Sequence, residues 1–191
     1  MIEARVYNQV LTRIREKSES SDLFIIAIDG NSSAGKSTLG QRLALDLKAN
    51  LYQMDDFFLR PEQRTPERLE EVGGNVDYER FEKEVLAQIL TNQDFSYRPY
   101  DCQIGDFLAP KFFKPNKIHI VEGSYSQHPL FADSYDFRIF IKTDYKMQKK
   151  RILERNGQFL YQRFIDEWIP KENAYFSAFE TEKRADFIIK T

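Results

Sequence analysis

Apolar residues follow two rhythms along this chain. Ile2, Val6, Val10, Leu11 and Ile14 recur at three- and four-residue spacing among charged neighbours, which predicts an amphipathic helix over residues 2–17, ended by Ser18 to Ser21. Leu23 to Ile28 is instead continuous and rich in β-branched residues, as a strand buried on both faces of a parallel sheet requires. A helix from Lys36 to Lys48 follows it. Further buried strands are predicted at Leu51 to Met54, Ile118 to Val121, Phe137 to Ile141 and Phe187 to Ile189, with helical patterns over Tyr78 to Leu90, Tyr145 to Arg155 and Gln158 to Trp168 between them. Alternating strands and helices imply an α/β fold with a parallel central sheet flanked by helices. Leu59 to Asn75 and Tyr97 to Pro115 fit neither rhythm and, being long, are expected to serve as binding lids.

The turn after the first strand carries the most specific signal. Gly30, Asn31, Ser32, Ser33, Ala34, Gly35, Lys36 and Ser37 satisfy G-x-x-x-x-G-K-[ST], a pattern that arises by chance in a chain of this length about once in 100 or less. Between a buried strand and a helix, successive backbone N–H groups and the helix N-terminus can surround a phosphate. Gly30 and Gly35 let the backbone approach closely, Lys36 places its charge on the β and γ phosphates, and Ser37 is the expected Mg2+ ligand. The chain is therefore expected to adopt the P-loop NTPase fold. A switch GTPase is disfavoured, because Asn116-Lys117 precedes its strand and lacks the guanine-selecting Asp.

Bulk properties narrow the setting. The 191 residues suit a single domain spanning 1–191, and 41% hydrophobic with 30% charged residues is an ordinary globular composition. With 28 Lys plus Arg against 30 Asp plus Glu, the net charge of -2 offers no general attraction to nucleic acid or anionic membrane. No apolar stretch approaches the roughly 20 residues of a membrane span. The single cysteine, Cys102, fits a reducing compartment, so a cytoplasmic location is expected.

From the P-loop onward the chain resembles the uridine kinase and phosphoribulokinase-like family. Gly30 to Thr38 matches the family's loop, Met54-Asp55-Asp56-Phe57-Phe58 is similar to its Asp-x-Phe-Tyr segment, and Asn75-Val76-Asp77 to its Asn-Phe-Asp motif. Arg98-Pro99-Tyr100-Asp101 resembles its Tyr-Asp loop, Val121-Glu122-Gly123 its Glu-Gly, Thr143-Asp144 with Arg151 and Arg155 its lid over residues 144–160, and Arg184 to Ile189 its final strand. The resemblance implies a kinase that passes the γ-phosphate of ATP, with Mg2+, to a hydroxyl of a small nucleoside-like or sugar-like acceptor. It implies Asp55 as the base, Ser37 and Glu122 at the metal, Arg151 and Arg155 on the transferring phosphate, and Asp77, Tyr100 and Asp101 with Asp55 at the acceptor. A homo-oligomer is compatible with it. The alternative is an accessory ATPase without a small-molecule acceptor.

The family's nucleoside-specific members follow Tyr-Asp with a His and an Arg, where this chain has Cys102 to Asp106, so acceptor recognition through hydroxyls at Asp77 and Asp101 is expected. Simpler roles compete at several positions. Asp77 precedes a helix and could cap it, and Arg151 and Arg155 could belong to a solvated basic face with Glu154. Trp168, Tyr175, Phe176 and Phe179 read as core, and His119 and His128 lack companions at metal-ligand spacing.

Overall fold

The computed structural model describes residues 2–191. The amphipathic helix α1 (Ala4–Ser18) buries Tyr7, Val10 and Ile14 and leads to β1 (Phe24–Gly30), every residue of which is buried. Helix α2 (Lys36–Leu47) and β2 (Asn50–Gln53) follow, and then a 3-10 turn, Met54–Phe57. The segment predicted as the first lid contains a second short turn and α3 (Pro66–Glu70). The helix expected at Tyr78 to Leu90 is present as α4 (Tyr78–Phe81), a π-helical turn over Glu82–Leu86, and α5 (Ala87–Thr91).

The expected second lid is partly structured. Strands β3 (Phe95–Tyr97), β4 (Tyr100–Asp101), β5 (Asp106–Phe107) and β6 (Lys111–Phe113) form two small antiparallel pairs, β3 with β6 and β4 with β5. Strands of two or three residues carry no readable alternation, so hydrophobic pattern gives no sign of them. The chain then re-enters the main sheet as β7 (Ile118–Glu122) and β8 (Phe137–Lys142). Helix α6 (Tyr145–Arg163) is interrupted at Gly157, whose φ of 72° and ψ of 173° are not helical, so the two predicted helices meet at that break. A π-helical turn (Phe164–Trp168), α7 (Ile169–Ala178) and β9 (Phe187–Lys190) complete the chain.

The central sheet is wholly parallel in the order β2-β7-β1-β8-β9. Strand β1 occupies the middle, where a strand must be apolar on both faces, and its side chains alternate between two cores. Ile25 and Ala27 join Tyr52, Phe57, Phe81, Val121 and Tyr175, while Phe24, Ile26 and Ile28 join Val10, Ile14, Leu39, Leu43 and Ile139. The order of strands places the end of β1 between the ends of β7 and β8, the crevice in which open α/β sheets bind ligands. At that end Gly30 has φ 136°, and a Cβ there would overlap the backbone carbonyl of Ile141 in β8. No helix among the described residues is long and apolar enough to cross a membrane.

Candidate active site

The turn that follows β1 is held from several sides. The Asn31 N–H donates to the Ile141 carbonyl (3.1 Å), and the Asn31 side-chain oxygen accepts from the Thr143 N–H (3.1 Å), which ties the loop to the end of β8. Ser33 adopts a left-handed φ of 58°, and Gly35 has φ 104° just before α2 begins. Lys36 is buried, its ammonium donating to the Gly30 carbonyl (2.7 Å), the Asn31 carbonyl (3.0 Å) and Ser124 Oγ (3.2 Å). All three donors of the ammonium are thereby used, and all of its partners belong to the mouth of the loop.

A cavity of about 270 Å3 opens over this loop. Ser32, Ser33, Gly35, Lys36, Ser37 and Thr38 form its floor; Asp55 from the turn after β2, Glu122 from the end of β7, and Arg151 and Arg155 from α6 stand around it. Residues from four separated parts of the chain thus converge on one volume. A larger, shallower groove of about 730 Å3 lies against α1 and β9, lined by Arg5, Asn8, Gln9, Thr12, Arg13 and Phe187, and holds neither a carboxylate nor any part of the loop. The sequence-predicted catalytic residues line the smaller cavity.

Electrostatics differ among the carboxylates. The Asp55 pKa is raised first by desolvation of its carboxyl, then by Asp56 and Glu172, against the lowering pull of Lys36 and Arg155. Glu122 is also raised, by burial and by Asp55, and opposed by Lys36, Gln53 and Ser37. Asp56, next in sequence to Asp55, is engaged elsewhere: it accepts from Tyr97 Oη (2.6 Å) and pairs with Lys111 Nζ (2.7 Å). Ser37 Oγ donates to Glu122 Oε2 (3.2 Å). A hydroxyl beside a carboxylate matches a Mg2+ site, because this ion keeps several waters and takes few protein ligands. No group of three His, Cys, Asp or Glu residues gathers as a metal cage among the described residues.

Comparison with known proteins finds kinases of small metabolites. The shikimate kinase family profile matches residues 32–96. Among relatives, a uridine-cytidine kinase C of Dictyostelium discoideum is 26% identical over 136 residues, covering 70% of this chain and 30% of its own length. A nicotinamide riboside kinase of Saccharomyces cerevisiae is 25% identical over 187 residues, covering 85% of this chain and 76% of the relative. A pantothenate kinase of Enterococcus faecalis is 29% identical over 185 residues, covering 85% and 57%. The chain therefore spans less than two thirds of two of these three relatives. The structure of a possible uridine kinase from Bacillus stearothermophilus superposes with a TM-score of 0.69 at 19% identity, over 95% of this chain and 99% of that one, which shows the shared fold. The chain is thus similar in sequence to kinases of small metabolites and shares the fold of uridine kinase-like P-loop proteins.

Asp77, Tyr100 and Asp101, expected at the acceptor, do not line the cavity. Asp77 is buried and caps α4, accepting from the Arg80 N–H (3.0 Å) and from Gln63 Nε2 (2.7 Å), so both of its oxygens are occupied. Asp101 folds its own turn, Oδ1 accepting from the Gln103 N–H (2.7 Å) and the Ile104 N–H (3.2 Å). Tyr100 is buried with its ring against Phe107. In this structure Asp77, Tyr100 and Asp101 make local structural contacts. For Asp77 the reason is its position directly before a helix, whose free N–H groups recruit it.

The aromatic and histidine positions behave as core. Tyr175 is fully buried, Phe176 and Phe179 pack beside it, and Trp168 lies edge-on to Phe164. His119 bonds Tyr52 Oη (2.9 Å), and His128 stacks on Tyr78. Two acidic residues at the site escaped sequence reasoning. Asp29, fully buried at the end of β1, accepts from the Gln127 N–H and Tyr175 Oη (3.0 Å each), and burial pushes its pKa up to about 6. An acid inside an otherwise apolar strand was its available signal. Glu172 in α7 reaches the loop from 140 residues downstream, and nothing local marks it.

Proposed function

We propose that this protein is a kinase that transfers the γ-phosphate of ATP to a hydroxyl of a small metabolite, within a single P-loop domain. The observation that carries the reading is the convergence of Lys36, Ser37, Asp55, Glu122, Arg151 and Arg155 on one cavity at the end of β1. Gly30, Asn31, Ser32, Ser33, Ala34, Gly35, Lys36, Ser37 and Thr38 would cradle the triphosphate through loop N–H groups and the start of α2. Ser37 and Glu122 would hold Mg2+, which would supply neutralisation of the charge on the phosphates.

Asp55 is the candidate base. With Asp56 tied to Lys111 and Tyr97, Asp55 is the carboxylate of that pair free to meet an acceptor. The acceptor oxygen forms a bond to the γ-phosphorus as the bond to the β,γ-bridging oxygen breaks, ADP departs, and the hydroxyl proton passes to Asp55. Its raised pKa improves a carboxylate as a proton acceptor, although transfer is expected late in the reaction. Arg151 and Arg155, four residues apart and facing the same cavity, would stabilise charge on the moving phosphoryl group. Cys102, exposed and unpaired, suits a reducing cytoplasm.

The relatives named above are kinases of different acceptors, which supports the reaction class and leaves the acceptor to experiment. The test is incubation with Mg2+ and ATP against a panel of ribosides, sugars and hydroxy acids, with mass spectrometry for a product heavier by one phosphoryl group. A phosphorylated product that disappears in Lys36→Ala supports the reading. ADP release without any phosphorylated metabolite would point to the accessory ATPase instead.

A further inference from the structure

Glu172 is almost completely buried, at 3% exposure. Its carboxylate accepts three hydrogen bonds from the mouth of the phosphate-binding loop: from the Ser32 N–H (3.1 Å), from the Ser32 hydroxyl, and from the Ser124 hydroxyl (2.8 Å). Ser124 Oγ in turn accepts from the Lys36 ammonium (3.2 Å), so a continuous chain of bonds runs from Glu172 through Ser124 to Lys36. Ser32, Ser124 and Lys36 line the phosphate cavity, whereas Glu172 does not. The carboxylate therefore supports the cavity wall from behind and does not compete with a phosphate for the cavity itself.

The loop needs that support. Ser33 holds a left-handed conformation that residues other than glycine rarely adopt, and such a turn persists only where its surroundings fix it. It is gripped on both sides: Glu172 from α7 holds Ser32, and Arg151 from α6 reaches the Ser33 carbonyl (3.5 Å). We propose that Glu172 is a positioning residue for the γ-phosphate, fixing Ser32 and, through Ser124, the Lys36 ammonium. The proposal rests on the P-loop kinase reading. Its consequence is selective, because the N–H groups at the start of α2 serve the inner phosphates, while Lys36 extends to the γ-phosphate.

Three donors point at Glu172, and an amide in its place offers one acceptor oxygen and turns an N–H2 toward the other donors. Calorimetric titration of Glu172→Gln with Mg2+–ATP and with Mg2+–ADP, alongside thermal melting, tests the idea. Affinity for ATP should fall about tenfold, as expected for one hydrogen bond to a charged group, while ADP affinity changes by less than about threefold and the melting temperature stays close to that of the unsubstituted protein. Ser124→Ala should reproduce the ATP-selective loss, and it decides the matter if Glu172→Gln does not fold. Equal losses for ATP and ADP would reduce Glu172 to general scaffolding, and unchanged affinity for both in a folded variant would likewise overturn the proposal. If the unsubstituted protein binds neither nucleotide, the kinase reading itself fails and the proposal with it.

Discussion

Asn in place of Asp55 keeps the size of the side chain and removes its capacity to accept a proton. The carboxyl stands at the cavity mouth with Lys36, Glu122 and Arg155 around it, while its neighbour Asp56 is bound to Lys111 and Tyr97. Asp56 is thus poorly placed to substitute for it. General-base catalysis contributes roughly 100-fold or more, so kcat should fall by at least about that factor, which raises the barrier by about 2.7 kcal/mol. Affinity for ATP should change little, because in the proposed reading the loop would hold the phosphates. The pH profile carries the second signature. Burial, Asp56 and Glu172 place the Asp55 pKa above the usual carboxylate value, so the unsubstituted enzyme should lose activity as pH falls through that raised value, and the variant should lack this acid limb. Steady-state kinetics on the acceptor found by the panel, across pH, measure both. A kcat close to that of the unsubstituted enzyme would refute the base assignment, and a parallel loss of ATP affinity would move Asp55 to the metal.

Other expectations follow from the same geometry. Lys36→Ala should abolish turnover and weaken ATP binding far more than it lowers the melting temperature, as calorimetry and thermal melts would show. Asp29 has a raised folded pKa of about 6 against 3.8, so the folded state binds its proton more tightly; this favours folding at low pH and is lost as pH rises from about 4 to 6. The loss is on the order of 3 kcal/mol, and urea melts of Asp29→Asn between pH 4 and 7 should lack that decline. Gly30→Ala should cost more than about 3 kcal/mol or prevent folding, since its Cβ would displace the β8 backbone at Ile141, and denaturant melts would register it.

The sequence made the frame readable wherever burial is two-sided or periodic. All five predicted strands are in the sheet, and the gap between the helical patterns at Tyr145 to Arg155 and Gln158 to Trp168 coincides with the break at Gly157. Lys36, Ser37, Asp55, Glu122, Arg151 and Arg155, with more of the loop, line one cavity, because each sits near a strand end or on a helix face whose direction the pattern sets. Asp77 and Asp101 could not be resolved in advance, since an acidic residue before a helix or turn serves equally as a cap or a ligand until its neighbours are known. Glu172 was invisible for a different reason. Its partners Ser32 and Ser124 are adjacent to it only after the sheet has formed.

The placement of β1 also governs how the chain reaches its folded state. Its two neighbours pair through Phe24 with Ile118 and through Ile26 with Phe137, so neither flank of the central strand exists until most of the polypeptide has been synthesised. Parallel pairing across such separations closes large loops before it gains contacts, which makes folding slow. During that interval the apolar run from Phe24 to Ile28 is a bare, adhesive edge, and newly made chains should depend on dilution or chaperones to stay unaggregated. ATP can relieve none of this early on, because the loop that would grip it is tied to the end of β8, more than 100 residues downstream.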